Sequence, residues 1–249
     1  MLEVRDLTAG YGKREVLSGL SVSFERGAVT AILGPNGCGK STLLKAVMGL
    51  IPRWTGTVLV DGEDTASMDR RGLALRLAYL SQGQDVPAMT VERLALHGRF
   101  PYLTYPDRYT EKDREAAQAA MRRVGIADLA SNPLDHLSGG TRQAAYLAMA
   151  LAREAPYILL DEPTTYLDVG HQTAFMKLLR ELSAEGRGVV TVMHDLPLAL
   201  YYADRVAVLA NGSLQTFGTP REVVRDGVIP RVFGVDVVEE EGNFYCRFR

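Results

Sequence analysis

Cysteine is scarce in this sequence: Cys38 and Cys246 are the only two. So sparse a supply excludes the disulfide framework of small secreted domains and fits a reducing compartment. Long apolar runs are missing as well. The longest, such as Ala144 to Ala152, stop well short of the roughly 18 to 20 residues that a membrane-spanning helix needs. Neither sign of charge is in excess, since 28 basic residues stand against 30 acidic ones, and no electrostatic footprint for nucleic acid results. The opening Met1-Leu2-Glu3-Val4-Arg5-Asp6 alternates like a strand and lacks the basic-then-apolar order of a signal peptide. These absences predict a soluble, cytosolic chain. Its 249 residues, 47% of them hydrophobic, suffice for one large core or a core with a subdomain.

What is present is organised around Gly34-Pro35-Asn36-Gly37-Cys38-Gly39-Lys40-Ser41-Thr42. An apolar, β-branched run from Val29 to Leu33 precedes it, and Leu43, Leu44, Ala46, Val47 and Met48 follow at helical spacing. It therefore sits where a strand gives way to a helix, the setting of a phosphate-binding P-loop. Glycines let the backbone fold so that consecutive N–H groups converge on one anion, and the positive end of the helix dipole reinforces them. Lys40 is expected to reach the β- and γ-phosphates and the Ser41 hydroxyl to bind Mg²⁺. Cys38, between two glycines near the positive helix end, is expected within reach of bound nucleotide, where a thiolate is favoured.

In the first third of the chain, Leu2, Val4 and Leu7, then Val16, Leu17, Leu20, Val22 and Phe24, then Val58 to Val60 read as short strands separated by glycine turns. They predict a small antiparallel layer beside the P-loop core. Tyr11, between Gly10 and Gly12, is placed either to stack on a nucleotide base or to cover the sheet edge. Gly49 and Pro52 end the helix after the P-loop. Leu77 to Gln82 is an apolar strand that ends in a polar side chain, and ligands of open parallel sheets bind beyond the carboxyl ends of strands. Gln82 could thus touch a metal or water near the γ-phosphate.

Between about Thr90 and Ala155 the strand signals disappear. One helix opens at Thr90, a second runs from Asp113 to Val124, and a third from Ala144 to Arg153, which predicts an inserted helical subdomain. Within it, Gly98-Arg99-Phe100-Pro101-Tyr102 reads as an exposed loop with aromatic residues available to a partner. Ahead of the third helix stands Leu137-Ser138-Gly139-Gly140-Thr141-Arg142-Gln143, a serine and two glycines at a helix N-terminus. This is a second anion cradle, and one nucleotide does not need two of them on one chain.

With these motifs the sequence resembles the ATP-binding cassette ATPases, whose signature is LSGGQ, over nearly its entire length. In that family the signature of one subunit caps the γ-phosphate held by the P-loop of another, so that two subunits sandwich two ATP molecules. Thr141 stands where the family usually has Gln or Glu, while Ser138, Gly139 and Gly140 match. Tyr157 to Leu160 is an apolar strand leading into Asp161-Glu162-Pro163; the two like charges at its end either simply face solvent or, as a neighbouring P-loop favours, are placed there for chemistry. The resemblance implies that Asp161 holds Mg²⁺ and that Glu162 polarises the attacking water. It implies that Thr164-Thr165-Tyr166-Leu167-Asp168 is the D-loop, with Asp168 contacting the opposite subunit, and that His194, at the end of the strand Val189 to Met193, contacts the γ-phosphate and orients the glutamate. Tyr11 and Val16 complete the candidate nucleotide-binding set, and Ser41, Gln82 and Asp161 form the candidate metal set. His97, His136 and His171 share no metal-ligand spacing.

The tail holds a hairpin about Asn211-Gly212, a helix opened by the capping box Thr219-Pro220-Arg221-Glu222, and a second hairpin about Gly242-Asn243. The expected fold is α/β: a P-loop NTPase core of the RecA-like kind with a mostly parallel sheet, an N-terminal antiparallel β layer and an inserted helical subdomain. Residues 1–84 and 156–217 would form the ATP-binding core with the antiparallel layer, 85–155 the signature subdomain, and 218–249 a C-terminal helix and hairpin. The resemblance implies an ATPase using ATP and Mg²⁺, paired with a second copy of itself. It would dock on transmembrane permease subunits at the inner face of the cell membrane and be served indirectly by a solute-binding protein. The segments at 98–102 and 164–168, with His171-Gln172, look like the importer subgroup for iron-siderophores, haem and cobalamin. The alternative is a cassette ATPase outside transport, for example in cofactor or cluster assembly, or an importer ATPase for another substrate class.

Overall fold

The computed structural model describes residues 1–83, 86–103, 108–165 and 167–248. The chain opens with strands β1 (Leu2–Tyr11) and β2 (Arg14–Phe24), then β3 (Val29–Leu33), the P-loop and helix α1 (Lys40–Val47). Strands β4 (Arg53–Val60) and β5 (Glu63–Asp64), helix α2 (Arg70–Arg76) and strand β6 (Leu77–Leu80) follow. The helical stretch contains α3 (Val91–His97), α4 (Glu111–Arg123) and α5 (Gly139–Ala152). Strand β7 (Tyr157–Asp161), helix α6 (Val169–Ala184), strand β8 (Gly188–Val192), helix α7 (Leu196–Tyr202) and strands β9 (Arg205–Ala210) and β10 (Ser213–Gly218) return to the core. Helices α8 (Pro220–Arg225) and α9 (Val228–Phe233) and the hairpin β11 (Val235–Glu240) and β12 (Asn243–Phe248) close the chain.

Two sheets carry the fold. One is antiparallel in the order β2-β1-β4-β5; the other runs β10-β9-β3-β8-β7-β6, parallel throughout except for β10. The central strands of the second sheet are apolar without alternation because both of their faces are covered. Val29, Ala31 and Leu33 of β3 and Ile158 and Leu160 of β7 face the helices α3 to α6, whereas Ile32 and Leu159 face α1 and the antiparallel sheet. Register then decides where the chemistry lies. Val192 pairs with both Ile32 and Asp161, and Leu160 pairs with Leu80. One or two residues beyond those positions, Gly34, Gln82, Glu162 and His194 leave the sheet together along one edge.

Several boundaries differ from expectation. Helix α5 starts at Gly139 rather than Ala144, because the Ser138 side chain caps it and the signature glycines form its first turn. Helix α4 starts at Glu111, capped by a box between Thr110 and Asp113. The segment expected as an exposed loop is a short 3₁₀ turn, Phe100–Tyr102, in which Phe100 is exposed, Arg99 is buried and Tyr102 is half-buried. Helices α2, α7 and α9 are elements beyond those the sequence pattern predicts.

Candidate functional site

The edge where the strands end opens into a cleft of about 360 Å³ lined by Asn36, Gly37, Gly39, Lys40, Ser41, Thr42, Gln82, Glu162 and His194. Its floor is the P-loop. Gly34 has no room for a side chain, since a Cβ there would lie 2.2 Å from the Leu209 carbonyl oxygen and 2.7 Å from Cys38 Sγ. Gly39 turns at φ 109°, and a Cβ on it would meet Leu17 at 2.6 Å. This close packing against β2 and β9 holds the loop in the shape that presents its backbone to the cleft. Lys40, only 5% exposed, donates through Nζ to the carbonyls of Gly34 at 2.8 Å and Pro35 at 3.0 Å, which tethers its charge at the loop.

Behind the loop, Ser41 Oγ donates to Asp161 Oδ1 at 2.8 Å and Tyr79 OH donates to Asp161 Oδ2 at 3.2 Å. Burial pushes the Asp161 carboxyl above the usual carboxylate range and the neighbouring Glu162 charge adds to this, against the opposing pull of the two hydroxyls. Tyr79 is raised in turn, first by burial and then by Asp161. The Ser41 hydroxyl, which lines the cleft, contacts the Asp161 carboxyl buried behind it, and Gln82 lines the same cleft; hydroxyl, carboxylate and amide are hard oxygen donors. That set fits Mg²⁺, which takes oxygen ligands, retains waters and completes its shell with substrate phosphates.

Glu162 departs from the strand in the left-handed region, at φ 52°, a conformation that non-glycine residues seldom adopt and that concentrates at functional sites. Both of its oxygens are engaged. Gln82 Nε2 donates to Oε2 at 2.5 Å, and His194 Nε2 lies 2.6 Å from Oε1. A carboxylate fixed between the ends of β6 and β8, at the rim of a phosphate cradle, is positioned to accept a proton from a water in the cleft.

Other expected site residues lie elsewhere. Cys38 corrects its expectation: the side chain is 7% exposed and packs into the core beneath the sheet, and burial raises its thiol above the ordinary value, with Lys40 drawing it back only in part. Its thiol is therefore no lining group of the cleft. Tyr11 is 47% exposed at the end of β1, and Val16 packs against Gly39; neither lines the cleft. Ser138 accepts a hydrogen bond from Thr141 N at 3.2 Å, and the two hydroxyls lie 2.8 Å apart, so Thr141 helps close the cap of α5. Ser138 and Gly139 are exposed, and Gly140 lines a separate apolar recess with Leu147, Leu167 and Phe175. The fold does not bring the two cradles of one chain together. Asp168 is exposed and caps α6, accepting from His171 N at 2.9 Å; that bond and the His171 ring hold its carboxyl below the usual range. Tyr166 of the same loop, and Gln84 and Asp85 after Gln82, lie outside the described residues. Tyr79 was missed by sequence reasoning; its place on β6, alongside Leu159 of the strand that ends in Asp161, is visible only once β6 and β7 are paired.

Comparison with known proteins gives a consistent picture. A family model described as ABC transporter matches residues 17–165. Ferric enterobactin transport ATP-binding protein FepC of Escherichia coli (strain K12) is 42% identical over 94% of this chain and 87% of its own length. Achromobactin transport ATP-binding protein CbrD of Dickeya dadantii (strain 3937) is 39% identical over 93% of this chain and 87% of its own. Among solved structures, the dimeric structure of MJ0796, a bacterial ABC transporter cassette, superposes with a TM-score of 0.78 at 27% identity, covering 89% of this chain and 99% of that one.

Proposed function

The chain belongs to the ABC transporter family, and on that premise we propose that it is the ATP-hydrolysing subunit of an importer that carries a metal chelate of the iron-siderophore, haem or cobalamin kind through a separate membrane permease. As a member it is an ATP-binding subunit whose hydrolysis drives transport. The observation that carries the catalytic reading is the Glu162 carboxylate, bonded on both oxygens by Gln82 and His194 at the mouth of the P-loop cleft.

In this reading Lys40 and the backbone of Gly34 to Thr42 hold the phosphates, with Tyr11 and Val16 toward the base. Glu162 takes the proton of the attacking water, Gln82 and His194 orient that carboxylate, and His194 adds a contact to the γ-phosphate. Ser41, Asp161 and Gln82 would hold Mg²⁺, which neutralises charge on the β- and γ-oxygens when bound. A second copy of the chain supplies Ser138, Gly139 and Gly140, with Asp168 at the contact. The separation of the two cradles in one chain supports this, as does the dimer formed by the related cassette.

Among the described residues no helix is long and apolar enough to cross a membrane, so passage of the cargo is assigned to other subunits. The permease is proposed to seat in the apolar groove of about 380 Å³ between α2 and the 3₁₀ turn, lined by Arg70, Arg71, Ala74, Phe100, Pro101 and Leu103. Phe100 is 70% exposed there, and Arg71 Nε donates to the Pro101 carbonyl at 2.8 Å, which braces the groove. The chain would thus lie on the cytoplasmic face of the membrane, with a solute-binding protein delivering cargo from the other side. Residues 85–155 act as the signature subdomain between core segments 1–84 and 156–217, and 218–249 form a structural tail.

The test is purification of the chain from its native membranes. Integral membrane subunits should accompany it, and the reconstituted complex should accumulate ferric siderophore when supplied with ATP. Recovery of soluble assembly factors instead would overturn the importer reading.

A further inference from the structure

Arg99 is 2% exposed, lies outside the nucleotide cleft, and belongs to a segment that the sequence presents as a surface loop. Its guanidinium is divided among several partners. Nε donates to Asp113 Oδ1 at 3.0 Å, while Nη1 donates to the Ala152 carbonyl at 2.8 Å and to Glu154 Oε2 at 2.6 Å. The cation also stacks 3.7 Å above the Tyr102 ring centroid, and Tyr102 OH donates to the Arg153 carbonyl at 2.8 Å. Just before it, Gly98 rests directly on α5: a Cβ there would lie 2.1 Å from the Met149 carbonyl oxygen.

Each partner leads somewhere. Asp113 belongs to the capping box that starts α4. The Ala152 and Arg153 carbonyls are at the C-terminal end of α5, where no helical partner remains for them. Glu154, at φ 54°, directs the chain toward β7 and hence toward Asp161 and Glu162. Phe100, the neighbour of Arg99, is the exposed aromatic of the groove assigned to the permease. One buried side chain therefore joins that surface to the helix bearing the signature and to the approach to the catalytic strand. Helix α5, with 14 residues, is about 21 Å long, so a displacement of its C-terminal end is carried as a lever to Ser138 and Gly140.

We propose that Arg99 is a positioning residue that makes the Phe100 surface and helix α5 a single rigid body, so that force applied by the permease at Phe100 reaches the Ser138–Gly140 end of the helix. This rests on the importer reading above. The chemistry demands arginine: a planar fork can address Asp113 and the α5 terminus at once, which a lysine ammonium, a point charge on a flexible stem, cannot. Because Asp113 is itself buried, slack in the network leaves a charge unpaired, and the elements therefore move together or not at all.

The experiment compares ATPase activity of the isolated chain with that of the same chain bound to its co-purified membrane subunits in proteoliposomes. Arg99→Lys should leave the isolated activity unchanged and cut the stimulation given by the membrane subunits about tenfold, the size of a typical coupling term. Phe100→Ala should also cut the stimulation, and the double variant should be no worse than the weaker single one, because both lie on one route. If Arg99→Lys does not fold, Tyr102→Phe, which removes only the bond to Arg153, carries the same comparison with a smaller loss. Full stimulation in the folded Arg99 or Tyr102 variant, equal loss of isolated and stimulated activity, or additive losses in the double variant would overturn the proposal. Failure of the wild-type chain to bind any membrane subunit would instead overturn the importer reading, and this inference with it.

Discussion

Gln82 donates through Nε2 to Glu162 Oε2 at 2.5 Å, joining the ends of two adjacent parallel strands across the mouth of the P-loop cleft. Hydrogen bonds to a charged group are worth enough that Gln82→Ala should lower kcat about ten- to a hundredfold. Because the P-loop is untouched, the Kd for ATP measured without Mg²⁺ should change little. Steady-state kinetics with equilibrium nucleotide binding checks this. A raised Kd with normal kcat would reduce Gln82 to a binding residue.

The burial of Cys38 reverses the reactivity that its position between glycines suggests. With its thiol pushed up by desolvation and its side chain packed in the core, it should be protonated at neutral pH and alkylate far more slowly than a free cysteine. In a Cys246→Ser background, iodoacetamide labelling followed by mass spectrometry should show a slow rate that ATP hardly alters and that rises on unfolding. Rapid labelling at pH 7 with protection by ATP would place the thiol in the cleft after all.

The strand ends that carry the P-loop, Gln82, Asp161, Glu162 and His194 are readable in the sequence because each follows an apolar run whose length and continuity mark a buried parallel strand, and ligands gather at such ends; the roles expected of Asp161, Glu162 and His194 come from the family resemblance. Features set by tertiary contact were not legible. Helix α2, Arg70–Arg76, buries no residue fully and so shows no apolar stripe. The first turn of α5 is two glycines, poor helix formers that are held in helix by the Ser138 cap. Arg99 reads as a loop cation because its buried partners, Asp113 and the Ala152 carbonyl, come from other parts of the chain. The Cys38 side chain turns inward because Gly34 and Leu209 pack around it, which local sequence does not encode.

Separation of the two anion cradles predicts complementation between damaged subunits. A chain with Lys40→Ala has a defective P-loop and an intact signature; one with Ser138→Arg has the reverse. Neither alone should turn over, since every paired site would contain one defect. With random pairing about half the dimers are mixed and each keeps one intact site of two, so about a quarter of wild-type turnover should return. The ATPase rate of the mixture, in the permease complex where pairing is enforced, is the measurement. An inactive mixture with mixed pairs confirmed would mean that the site is not shared.

Glu162→Gln tests the account most directly, because it keeps the size and polarity of the side chain and removes only its capacity to take a proton. ATP binding should persist while steady-state turnover falls about 10²- to 10⁴-fold, the usual contribution of a positioned base. The decisive measurement is phosphate release per chain at saturating ATP and Mg²⁺, made alongside nucleotide binding on the same protein. Retained binding with turnover lost is the predicted result; turnover near that of the wild type would contradict the assignment of Glu162 and the catalytic centre built around it.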